Sequence, residues 1–93
     1  MKKQVKKTLV ITRDEYEILD HPETLQLVNT IGYMKFDENG VCSREVNPEN
    51  KEVRQCLMTL VRWLLQDIIN PQMESQKKEI FNLARKIVEV FEK

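Results

Sequence analysis

Glycine is nearly missing from this sequence: Gly32 and Gly40 are the only two in 93 residues. A loop that cradles phosphate needs glycines running into a helix, and neither position leads into one, so nucleotide binding has no support. Histidine is scarcer still. His21 stands alone between Asp20 and Pro22 in an expected turn. An acid–base pair built on it has no nucleophile beside it, and a solvated turn histidine is the simpler account. The two cysteines, Cys42 and Cys56, are far apart and fall in an expected strand and an expected helix. With one histidine they supply no paired zinc spacing, and as lone thiols they fit a reducing cytoplasm.

An excess of one charge is also lacking. Fifteen Lys and Arg balance fifteen Asp and Glu, for a net charge of zero. A dedicated nucleic-acid binder carries a basic surplus, because neutralising phosphates supplies most of its affinity. No apolar run approaches the roughly 18 residues of a membrane span. The lysines near the start precede too short an apolar run for a secretory signal. The acids Asp14, Glu15, Glu17 and Asp20 gather in one short segment. They lack the glycine-centred loop of a calcium site and are explained by the dipole of a helix start. The reading is one soluble cytoplasmic domain over 1–93 with a flexible basic tail at 1–4, no metal, no cofactor and no catalytic constellation.

What the sequence does have is a greasy stretch at 52–70. Val53, Cys56, Leu57, Met58, Leu60, Val61, Trp63, Leu64, Leu65, Ile68 and Ile69 follow one another with charge only at Glu52, Arg54, Arg62 and Asp67. At about 100° per residue these apolar positions sweep some 240° of a helix, far more than a surface helix shows. The stretch reads as a central helix covered on at least two sides. A second long helix follows, with Met73, Ile80, Phe81, Leu83, Ala84, Ile87, Val88, Val90 and Phe91 on its apolar side. Asn47-Pro48 and Asn70-Pro71 each offer an N-cap and a first-turn proline for these two helices.

Earlier in the chain, residues 5–11 are strand formers, and Thr12 with Glu15 has the form of a capping box. A first short helix over 13–20 stops before Pro22, which opens a second one running to Gly32 as its cap. Residues 33–36 and 41–46 flank Asn39-Gly40, a strong hairpin signal. The first strand is expected to join that hairpin, because a lone hairpin is unstable in water. The fold class is therefore α+β: a small three-stranded antiparallel sheet packed on two long C-terminal helices, in the order β-α-α-β-β-α-α.

Two functions follow from the surfaces this leaves. The sheet and the last helix cover two sides of the central helix, and a flank around Cys56, Met58, Arg62 and Trp63 remains, to be covered either by the two short helices or by a partner. Tryptophan is enriched at interface hot spots. This gives a small non-catalytic regulator or inhibitor acting on a larger protein, or on itself as a homodimer. The alternative is a DNA-binding transcription regulator whose residues 13–46 imitate a winged helix-turn-helix, with Lys2, Lys3, Lys6, Lys7 and Arg13 against the phosphate backbone. The would-be recognition helix offers Gln26 and Asn29 for adenine edges but contains no Lys or Arg.

Overall fold

The computed structural model describes residues 6–92; the expected tail at 1–4, with Lys2 and Lys3, lies outside them. The elements run β1 (Lys7–Thr12), α1 (Arg13–Glu17), α2 (His21–Ile31), β2 (Val41–Val46), α3 (Lys51–Ile68), a 3-10 segment (Pro71–Gln76) and α4 (Lys77–Phe91). The α+β class and the antiparallel pairing hold, but the sheet has two strands, not three, so the order is β-α-α-β-α-α. β2 pairs along its whole length with β1, from Lys7 opposite Val46 to Thr12 opposite Val41.

The expected strand at 33–36 is absent, although its turn is present. The Asn39-Gly40 turn does form, with Gly40 at φ 73°, and the Asp37 N–H donates to the Val41 carbonyl at 3.0 Å. The Asp37 carbonyl accepts the Gly40 N–H at 2.9 Å, and its carboxylate accepts the Val41 N–H at 3.0 Å and the Asn39 N–H at 2.8 Å. The pairing goes no further, and residues 33–36 stay outside the sheet. Beside them Arg44 of β2 reaches back and donates to the Ile31 carbonyl at the end of α2, 3.1 Å away. Gly32 follows at φ 103°, and a Cβ there would land on the Arg44 guanidinium. The backbone angle favours glycine, and a side chain there would also displace the Arg44 guanidinium from its place at the end of α2.

The helix starts are set by side-chain caps. Thr12 and Glu15 form the expected capping box, with bonds of 2.9 and 3.2 Å. The Asp20 N–H donates to the Glu23 carboxylate at 2.6 Å, with Pro22 in the first turn of α2. For α3 the cap is Asn50, not Asn47: its Oδ1 accepts from the Glu52 and Val53 N–H groups at 2.9 and 3.1 Å. Asn47-Pro48 forms a turn just before it, where Asn47 accepts from the Glu49 N–H. Asn70-Pro71 likewise opens the 3-10 segment, and α4 begins only at Lys77.

One core joins all of this. Leu9, Ile11, Cys42 and Val46 turn the inner face of the sheet toward the helices, while Thr8, Val10, Ser43 and Glu45 are exposed on the other. Leu27 of α2, Leu57, Leu60 and Leu64 of α3, and Ile80, Leu83 and Ile87 of α4 complete the buried cluster. The principal packing of the sheet is on α4, which also meets α3 and α1, whereas α3 is flanked by α4 and α2. The sheet therefore does not cover α3 as expected; α2 takes that place.

Candidate functional site

Successive helical residues differ by about 100°, so a side chain seven positions on returns to nearly the same face. On α3, Leu57, Leu60 and Leu64 form the buried row, and Met58 and Leu65 stand on the solvent side of it, with Ile69 continuing their line at the helix end. On α4, Ile80, Leu83, Ala84, Ile87 and Val90 are buried, while Phe81 and Val88, again seven apart, face outward. The two exposed lines lie side by side because α3 and α4 pack as a pair. Between them runs a groove lined by Val61, Leu65, Phe81, Ala84 and Val88, with Arg85, Glu89 and Glu92 of α4 also in its wall. Arg85 and Glu89, 3.9 Å apart, supply charge on the α4 side, and Arg62 is exposed on α3.

The four residues expected at a partner surface fall on two different faces. Met58 and Arg62 are exposed beside the groove. Cys56 is buried, its thiol 3.9 Å from the Gln26 carbonyl of α2. Burial pushes its pKa up, which keeps the thiol protonated and unreactive. Trp63 is half-buried on the same side as Cys56 and packs on the core. It borders a shallow depression with Asp20, Pro22, Glu23, Gln66 and Asp67. The short helix α2 thus closes most of the flank that the sequence leaves open. The residues that do make the exposed face, Leu65, Phe81 and Val88, stand in the sequence simply as members of the apolar sides of their helices. Their signal is the offset by one position from the buried rows at 57/60/64 and 80/83/84/87.

The basic residues of the DNA alternative do not gather into a patch among the described residues. Lys6 pairs with Glu45 at 3.8 Å. Lys7 lies near Lys86 and Glu89 at the edge of β1. Arg13 stacks its guanidinium 5.6 Å over the Phe36 ring, which Tyr16 meets edge-on at 5.4 Å. Because β2 pairs with β1, residues 13–46 contain no wing hairpin. Gln26 is half-buried, and Asn29 is exposed.

Other polar groups are occupied by the fold. Glu15 is buried and accepts from the Thr12 N–H and from Lys86 Nζ, the latter at 2.8 Å. Glu23 is buried beside Asp20 and Asp67. Desolvation, then the two neighbouring carboxylates, raise its pKa, partly offset by the Asp20 N–H bond. Asp67 is raised for the same two reasons, burial first and Asp20 second. His21 opens α2, exposed to solvent. Among the described residues no three His, Cys, Asp or Glu side chains are placed to hold a metal ion, and no helix is long and apolar enough to cross a membrane. Compared with protein-family models, with curated proteins and with solved structures, the chain matches none.

Proposed function

We propose that this chain is a small non-catalytic regulator or inhibitor that acts by docking the outer face of its α3–α4 pair on another protein surface. The observation that carries the reading is the exposed apolar line Met58, Leu65 and Ile69 along α3 beside Phe81 and Val88 of α4, of which Leu65, Phe81 and Val88 line one groove. Single exposed hydrophobics are ordinary on a protein surface, whereas a contiguous patch edged by polar residues marks an association site. Met58 and Arg62 keep their place in this reading. Cys56 serves the core, and Trp63 stands outside the face.

The test compares the wild type with Phe81→Glu as bait in a pull-down from extract of the native cells, with circular dichroism to confirm that both are folded. Phe81 is more than half exposed, so the variant keeps its fold. The expected outcome is a specific protein retained by the wild type and lost by the variant. If the variant retains every bound protein, the docking site is elsewhere.

A further inference from the structure

The face on α3 and α4 has a definite size and relief. We infer that its occupant is a second copy of this chain, with the two α3–α4 pairs stacked face to face about a two-fold axis. This rests on the docking reading above and names its partner.

Size comes first. Met58 is 58 % exposed, Leu65 53 %, Ile69 82 %, Phe81 57 % and Val88 43 %. With roughly 150–200 Å² available to side chains of this size, those fractions amount to about 440–590 Å² of exposed surface. A stable interface of standard size takes about 800 Å² from each partner, of which roughly 56–65 % is apolar. The face therefore supplies about the apolar area that one side of a stable dimer needs, and Arg62, Arg85, Glu89 and Glu92 supply polar surface beside it.

Relief points to the same occupant. Each copy presents two ridges, Met58–Leu65–Ile69 on α3 and Phe81–Val88 on α4, and between them a groove whose floor is the smaller pair Val61 and Ala84. With the two copies offset by one ridge, a ridge of each seats in the groove of the other, the ridges-into-grooves packing of helices. An isologous contact also requires that the edges not repel. Here they carry both signs, with Arg62 on one side and the Arg85–Glu89 pair on the other, so no like-charged field opposes a second copy.

Analytical ultracentrifugation of the full chain over about 1 µM to about 1 mM tests this; that range covers a standard interface without a tight hot spot. The expected result is a rise from the monomer mass of 11.1 kDa to twice that value. Leu65→Glu and Phe81→Glu each weaken the association by about tenfold or more, because each places a carboxylate in the buried contact. Leu25→Glu, at an apolar residue of α2 that is 49 % exposed and off this face, leaves it unchanged. A wild type that stays at 11.1 kDa throughout overturns the second-copy inference. So does a dimer indifferent to Leu65→Glu and Phe81→Glu, or one that Leu25→Glu dissociates equally. The docking reading fails separately, by the pull-down: a monomeric wild type whose specific partner is lost on Phe81→Glu leaves docking intact and removes only the second copy.

Discussion

Glu23 holds two opposed roles. Its carboxylate accepts the Asp20 N–H at 2.6 Å and so starts α2, yet it is buried, with Asp20 and Asp67 facing it, and its pKa is raised. A raised carboxylate pKa means that, between the ordinary value near 4.5 and the raised one, the folded state binds more protons than the unfolded state. Stability then falls as pH rises through that window and stays at its lower level above it. Asp67 adds to the same trend from the other side of the depression, since its pKa is raised too. Glu23→Gln keeps an oxygen for the Asp20 N–H, because glutamine serves as well as glutamate in that position of a helix start. The variant is expected to be more stable than the wild type at about pH 7, with the gap closing as pH falls toward about 4. Urea midpoints at the two pH values measure it; a gap that is constant with pH would show that the carboxylate's charge is not what costs stability. Nothing in the sequence marks this residue as buried. Glu23 reads there as an ordinary acid in a first turn, and only the fold brings Asp67, 44 positions on, to its side.

At the scale of elements, the legible signals were those completed within a few residues. Thr12 with Glu15, Pro22 in the first turn of α2, and Gly32 as a helix end act where the sequence places them, because each is settled within four positions; the first helix, expected over 13–20, ends already at Glu17. That residues 33–36 would stay out of the sheet was not legible. Whether a run with strand propensity becomes a strand depends on whether its partner's edge is free, and here the Asp37 side chain takes the Val41 N–H while Arg44 is turned to the end of α2. The cap of α3 shows the same competition at closer range, since Asn47 and Asn50 both precede an apolar helix and the proline favoured the wrong one. The consequence is measurable. Asn50→Ala removes the acceptor of two helical N–H groups and is expected to cost about 1 kcal/mol in denaturant unfolding. Asn47→Ala removes the acceptor of one turn N–H outside the helix and is expected to cost less. The reverse ranking would return the cap to Asn47. The exposed stripe was half legible: the excess of apolar circumference on α3 was plain, but its side was not, because that depended on α2 folding over Cys56 and on the sheet choosing α4.

For the molecule as a whole, the weakest part is the sheet. Two strands paired with each other are marginal in water and need a third layer, which α4 provides along β1. The junction is fastened by one polar contact between the two ends of the chain: Lys86 of α4 donates to Glu15 of α1 at 2.8 Å, across 71 positions of sequence. This pair differs from Lys6–Glu45, Lys77–Glu74 and Arg85–Glu89, which are longer and mostly exposed and contribute little. The Glu15 side chain is 5 % exposed, and it is the same carboxylate that caps α1 through Thr12. Removing Lys86 would leave a buried acid with one hydrogen bond instead of two. Lys86→Met is therefore expected to cost about 1–3 kcal/mol, and Glu15→Gln alone a comparable amount. Because the partner that would be left unsatisfied is gone, the double variant should lose less than the two single losses together, by about 1 kcal/mol. Strict additivity in the denaturation cycle would mean that β1 and α1 are held on α4 by apolar packing alone, through Leu9, Ile11, Leu83 and Ile87.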